Sequence, residues 1–196
     1  IIKKMDILYF ILIPYLIGSI PTGFILTKLI LKKDIRNIGS GNIGATNALR
    51  TGNKLIGYTT LVFDILKAVI PIFYIKFFHL DYIFICSLCI FLGHVFPIWL
   101  KFKGGKGVAT YLGILFCLNI SLGFLFIIIW LMIYFIFKYS SLGSIAASAF
   151  APFLIVLTNY DNFNYFYVIM FVLILFTHRE NIKRLINKEE SKTKIY

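Results

Sequence analysis

The sequence predicts an all-α integral membrane protein, a bundle of seven transmembrane helices of which some are short. Three observations carry that prediction. Of the 196 residues, 60% are hydrophobic and only 14% charged, where soluble domains have about 45–50% and about 25%. The mean hydropathy is +0.89. The apolar residues also fall into runs separated by short segments rich in Lys, Arg and Gly, the pattern of spans joined by loops. An aromatic content of 18% excludes a disordered chain.

The runs cover 7–26, 55–75, 82–100, 108–118, 122–137, 142–157 and 165–176. The first follows Lys3 and Lys4 as a signal peptide would, but it contains Pro14, Gly18 and Pro21 and ends in no small-x-small cleavage site, so it is read as a retained span. Several runs are shorter than the ~20 residues of a perpendicular span and are read as tilted or set in locally thinned bilayer. The stretch 108–137 could be one helix or two, and the distribution of basic residues selects two. With seven spans and the N-terminus outside, Lys28, Lys32, Lys33, Arg36, Arg50, Lys54, Lys101, Lys103, Lys106, Lys138, Arg179, Lys183, Arg184, Lys188, Lys192 and Lys194 all lie inside. Only Lys3, Lys4 and Lys76 lie outside, with Lys67 inside a span. Merging 108–137 would carry Lys138 and the six tail cations to the outer face. No internal repeat divides the chain, which is expected to form one membrane-embedded domain, 1–196.

The net charge of +12 would suggest nucleic acid on a soluble protein. Here the cations sit between spans and no groove-reading motif accompanies them, so that class is set aside. Cys86, Cys89 and Cys117 all fall in apolar runs and are read as packing residues, neither disulfides nor zinc ligands.

Chemistry gathers in three inner-face segments. The first runs Gly39-Ser40-Gly41-Asn42-Ile43-Gly44-Ala45-Thr46-Asn47-Ala48-Leu49-Arg50. Its glycines satisfy G-x-G-x-x-G, but no strand precedes them and no ribose-binding acid follows, so dinucleotide binding fails on context. Small residues should let exposed N–H groups form an anion nest, with Ser40, Asn42, Thr46, Asn47 and Arg50 adding donors. In the second, Lys103-Gly104-Gly105-Lys106-Gly107 stands before a helix whose positive end could face an anion. It is no Walker A loop, because Gly107 occupies the magnesium-binding Ser/Thr position. His94, just upstream, reads as a structural histidine. The third segment is Thr177-His178-Arg179-Glu180-Asn181-Ile182-Lys183-Arg184, with His178 and Asn181 on one helical face and Arg179 and Lys183 on another. Asp64 and Lys67, three apart inside a span, should neutralise each other.

These segments resemble the three signature motifs of the PlsY family, bacterial membrane acyltransferases that transfer the acyl group of acyl phosphate to glycerol 3-phosphate. The resemblance extends to Gly18-Ser19-Ile20-Pro21-Thr22-Gly23, Asp64-Ile65-Leu66-Lys67 and Ser140-Ser141-Leu142-Gly143-Ser144, and so covers essentially the whole chain. One departure stands in the tail, where many relatives carry Gly-Thr-Glu and this chain has Lys188-Glu189-Glu190; Glu190 fills the acidic position.

The resemblance implies formation of 1-acyl-glycerol 3-phosphate and phosphate at the cytoplasmic face of the bacterial plasma (inner) membrane. Acyl phosphate is already an activated anhydride, so neither a covalent intermediate nor a cofactor or metal is expected. Ser40, Gly39, Gly41, Asn42, Thr46 and Asn47 would take one phosphate, and Arg50 and Lys106 would supply positive charge to the transition state. Gly104, Gly105 and Gly107 would let backbone approach glycerol 3-phosphate, with Ser141, His178 and Asn181 orienting it and Asp64, Lys67 and Glu190 structural. The base is either His178 or a phosphate oxygen of the substrate, and the resemblance favours the latter. A soluble enzyme that makes acyl phosphate is a possible partner at the basic inner face. Two rivals are weaker. Coenzyme-A-dependent glycerolipid acyltransferases need Asp five residues after a catalytic His, and here Phe84, Trp99 and Lys183 stand there. An organic-phosphate transporter would also want basic loops, but would form no acyl product.

The charge asymmetry predicts the orientation of the tail. A cysteine placed at Asn187 should stay unlabelled by an impermeant maleimide in intact cells and label once the membrane is opened; labelling in intact cells would reverse the topology.

Overall fold

The computed structural model describes residues 4–158 and 164–193, and these are helix and loop with no strand among them. The helices form two compact units, one up to Leu118 and one from Asn119 onward.

The first unit holds α1 (Lys4–Gly18), α2 (Thr22–Leu31), α3 (Ala45–Leu49), α4 (Lys54–Phe78), α5 (Ile83–Val95) and α6 (Val108–Leu118). The run 7–26, expected as one helix, breaks between Gly18 and Thr22. Pro21 has no amide hydrogen with which to extend the α1 ladder and disfavours helical geometry at Ile20. The break leaves the Ile20 carbonyl outside helical pairing, where it accepts a hydrogen bond from Lys67 Nζ at 3.0 Å. α1 lies against α5 at backbone distance: a Cβ on Gly18 would overlap the Ile90 carbonyl, and one on Gly93 the Tyr15 carbonyl. Small residues allow such approach where lipid gives helices little hydrophobic reason to associate.

The second unit holds α7 (Ile120–Phe137), α8 (Ser140–Thr158), α9 (Asn164–Thr177) and α10 (Arg179–Ile186). The stretch 108–137 is two helices, as the charge distribution required. Asn119 leaves helical geometry (φ −149°, ψ 109°) and its side chain accepts the amides of Ser121 and Leu122, capping α7.

Three helical stretches are long and apolar enough to cross a membrane, Leu8–Leu31, Leu80–Leu100 and Ile120–Phe137; α9 and α10, bent by 62° at His178, could count as a fourth. Leu29, Ile70, Phe77, Phe135 and Tyr165 are each more than 60% exposed, and surfaces so apolar mark contact with lipid. Lys76, expected from the sequence to lie outside, donates to the Cys117 carbonyl at 2.6 Å and so ties the end of α4 to the end of α6. Lys3 and Lys194, two more orientation charges, lie outside the described residues.

The buried ion pair of the first unit is Asp64–Lys67, which forms as expected with Nζ to Oδ1 at 2.8 Å and both side chains at most 6% exposed. Thr22 Oγ1 donates to the same Asp64 oxygen at 2.6 Å. Removing one partner leaves a buried charge uncompensated, at a cost of about 3–5 kcal/mol. Asp64→Ala should therefore lower the midpoint of thermal unfolding in detergent sharply, while Asp64→Leu combined with Lys67→Met should recover most of the loss.

Candidate active site

The first loop is organised by one buried side chain. Asn47, 2% exposed, donates from Nδ2 to the carbonyls of Ile38 (2.8 Å), Asn42 (2.8 Å) and Ile35 (3.2 Å). Its Oδ1 accepts the Ser40 amide at 2.9 Å. Gly41 N–H turns back to the Ile38 carbonyl at 2.9 Å, and Gly44 N–H goes to Asn42 Oδ1 at 3.0 Å. The expected backbone nest is thus closed, because the loop satisfies the amides of Ser40, Gly41 and Gly44 itself. Side-chain donors remain. The Ser40 hydroxyl and the Asn42 Nδ2 have no partner among the described residues, and Ser40 is exposed.

Gly39 adopts φ +54°, and a Cβ there would stand 2.8 Å from Arg50 Cδ and 3.5 Å from Nη1. A side chain at 39 would therefore push the Arg50 guanidinium off the loop. Beneath, Ile35, Ile43, Ala48 and Ile56 pack with Leu100 in one apolar cluster. Leu100 belongs to the turn that leads into the second loop, so the cluster holds the two glycine segments of this unit beside each other.

The second loop is moored to the end of α5. Gly104 N–H donates to the Val95 carbonyl at 3.0 Å and Gly105 N–H to the His94 carbonyl at 3.1 Å, so these two amides do not face an anion either. The glycines serve packing. A Cβ at Gly104 would overlap the His94 carbonyl and Pro97, one at Gly105 the His94 ring, and one at Gly107 (φ +80°) the Phe91 ring. Lys106, half-buried between them, is the cation the loop presents before α6.

In the second unit the tail carboxylate of Glu190 gathers the site candidates. Oε1 accepts from Ser141 Oγ at 2.7 Å and from Asn181 Nδ2 at 2.6 Å, and Oε2 accepts from Arg184 Nε at 2.7 Å. Burial opposes ionisation of Glu190, but these hydrogen bonds outweigh it and hold the carboxyl below its ordinary value. Lys188 takes φ +60°, with its own amide on Leu185 O and the Glu189 amide on Arg184 O, the Schellman end of a helix that favours glycine. The substitution of Lys188 for the relatives' glycine therefore keeps the turn that returns Glu190 to α10, at some backbone strain. Beyond it, Thr193 is fixed by its amide on Lys138 O at 2.9 Å and by Tyr134 Oη on its carbonyl at 2.8 Å.

His178 sits at the α9–α10 bend, 2% exposed. Its Nδ1 lies 2.9 Å from the Ile174 carbonyl, an acceptor only, so Nδ1 carries a proton. Arg179 and Lys183 are exposed and Asn181 is buried, the division of faces expected of α10. Sequence reasoning missed the Thr22 hydroxyl on Asp64 and the hub role of Glu190. The signal for Thr22 was a hydroxyl just after Pro21 in an otherwise apolar run.

Apolar outer surfaces with polar, cationic and glycine-rich chemistry confined to loops and helix ends define a polytopic integral membrane protein. The chain belongs to the glycerol-3-phosphate acyltransferase family, whose model matches residues 8–188. A glycerol-3-phosphate acyltransferase of Pelagibacter ubique is 67% identical over 193 residues, covering 98% of this chain and 100% of that protein. The Bartonella henselae enzyme of the same name is 47% identical over 191 residues, covering 92% and 89%. The fold matches the crystal structure of PlsY, an integral membrane glycerol 3-phosphate acyltransferase, in its glycerol 3-phosphate form, with a TM-score of 0.90, 36% identity and 96% of each chain covered. The lysophosphatidic acid form of PlsY matches with a TM-score of 0.86 at the same identity, covering 95% of each chain.

Because the folded-state value of Glu190 is depressed, its stabilising contribution is complete above the ordinary glutamate value of 4.5 and is lost as pH falls through the lower folded value. Thermal stability measured in detergent should fall with pH below 4.5, and Glu190→Gln should be less stable near neutral pH and show a shallower acid loss.

Proposed function

We propose that this chain, acting as one domain over 1–196, transfers the acyl group of acyl phosphate to the 1-hydroxyl of glycerol 3-phosphate, releasing lysophosphatidic acid and phosphate. The glycerol 3-phosphate and lysophosphatidic acid forms of the PlsY neighbour support the acceptor and the product. The observation that supports the reading at the site is the first loop, where the amides of Ser40, Gly41 and Gly44 are paired internally while the Ser40 hydroxyl and the Asn42 side-chain amide are left to a ligand, with Arg50 lying over Gly39.

The hydroxyl oxygen attacks the acyl carbonyl carbon, the bond to the phosphate oxygen breaks, and phosphate leaves. Ser40, Asn42, Thr46 and Arg50 hold the acyl phosphate, with Gly39 and Gly41 making room and Asn47 acting through the loop it shapes. Lys106 balances the charge that develops, at a place fixed by Gly104, Gly105 and Gly107. Asn181 and Ser141, oriented by Glu190, position the acceptor together with His178. The hydroxyl proton passes to a phosphate oxygen of the substrate, so no ionised enzyme base is needed.

The chemistry takes place at the cytoplasmic face of a bacterial inner membrane, in a chain that crosses it seven times with the N-terminus outside and the C-terminus inside. The cation distribution and the break at Asn119 support that topology. A soluble enzyme that makes acyl phosphate fits the basic inner face as a supplier.

Purified protein given glycerol 3-phosphate should form lysophosphatidic acid from acyl phosphate and not from acyl-CoA or acyl carrier protein; comparable rates with acyl-CoA would remove the donor assignment. A guanidinium bridges two phosphate oxygens where an ammonium is a point charge. Arg50→Lys should therefore lower kcat at least about tenfold, roughly 1.4 kcal/mol, while Lys54→Ala has little effect. Near-normal kcat in folded Arg50→Lys would reduce Arg50 to an orientation charge.

A further inference from the structure

Beneath the second loop lies a polar group that the proposed chemistry leaves unused. Lys67 Nζ stands 2.8 Å from Asp64 Oδ1, 3.0 Å from the Ile20 carbonyl and 2.9 Å from His94 Nδ1. An ammonium has three N–H bonds and no lone pair, and these three acceptors occupy all of them. His94 Nδ1 is therefore an acceptor and carries no proton. A doubly protonated ring would set a second cationic N–H directly against the ammonium, so the single ring proton is on Nε2.

That Nε2–H has no hydrogen-bond partner among the described residues, although His94 is only 4% exposed. It is also aimed at a particular place, for a Cβ added to Gly105 would overlap Nε2. The protein thus fixes a donor against the glycine loop and gives it no partner of its own among the described residues.

We propose that His94 is a substrate-binding residue whose Nε2–H donates to a phosphate oxygen held at the Gly104–Gly107 loop, with Lys67 and Asp64 as positioning residues that fix its tautomer. The proposal rests on the reading of that loop as the glycerol 3-phosphate site. It assigns His94, read from the sequence as structural, a direct contact with the ligand.

The two ends of the ring can be tested separately. Asn at 94 keeps an acceptor for Lys67 near the Nδ1 position but has no donor that reaches Nε2, whereas Gln places an N–H near Nε2. His94→Asn should raise the KM for glycerol 3-phosphate at least about tenfold, a factor worth 1.4 kcal/mol of binding, with kcat and the unfolding midpoint little changed. His94→Gln should bring KM most of the way back. Equal KM values in the two variants, or a loss that follows only the unfolded fraction, would overturn the proposal.

Lys106→Ala serves as the reference for the loop itself. If it raises KM while His94→Asn does not, the His94 proposal alone fails; if neither changes KM, the loop reading and the proposal fail together. A measurement on the unsubstituted protein removes any dependence on folding of the variants. Nitrogen-15 spectra of the histidines in detergent, assigned by replacing His79 and His178, should show His94 protonated on Nε2, with that signal shifting when glycerol 3-phosphate is added. A proton on Nδ1, or a signal indifferent to glycerol 3-phosphate, would overturn it.

Discussion

The first unit depends on the ion pair between Asp64 and Lys67. Two charges removed from water are costly, and the cost is met only when every remaining donor and acceptor finds a partner. Here the partners come from three different elements. Thr22 donates from the start of α2, Ile20 accepts from the break before it, and His94 accepts from the end of α5. The pair thereby fixes the break in the first apolar run, and it fixes α5 against α4. The second glycine loop follows, since its amides bond to the His94 and Val95 carbonyls.

Both glycine segments are built from inside, which changes what their glycines mean. A glycine-rich loop beside cations reads as a cradle of backbone N–H groups. In this fold the amides of Ser40, Gly41, Gly44, Gly104 and Gly105 are paired within the protein. The glycines instead allow close passage: Arg50 lies over Gly39, the His94 ring lies against Gly105 and the Phe91 ring against Gly107. The side-chain donors of these loops are consequently held in place by a firmly bonded backbone. Rigid placement of donors is what stabilisation of developing charge demands, because no reorganisation is then needed during the reaction.

The second unit reaches the same end with a carboxylate. Glu190 draws Ser141, Asn181 and Arg184 onto its two oxygens, so one residue of the tail joins a side chain of α8 to two of α10. The turn that returns it runs through Lys188 in the left-handed region. A lysine there tolerates a conformation in which glycine is unstrained, and the helix end is kept because its two closing hydrogen bonds involve only backbone.

Composition and charge order alone determined that this is a helical membrane chain with basic loops, that 108–137 divides in two, and that Asp64 pairs with Lys67. Those conclusions follow from local chemistry: lipid requires internally bonded backbone, cations favour one side, and residues three apart share a helix face. The motif residues were legible as well, since their types are unusual for connectors. What each of them touches was decided by the tertiary structure. Asn47 reads as a donor for substrate until Ile35, Ile38 and Asn42 are seen to surround it, and Glu190 reads as an acid in a tail until Ser141 approaches from α8. His94 reads as a packing histidine until Lys67 fixes its tautomer. A hydrogen bond depends on position to within a few tenths of an ångström, and between residues tens of positions apart only the packed helices set that position.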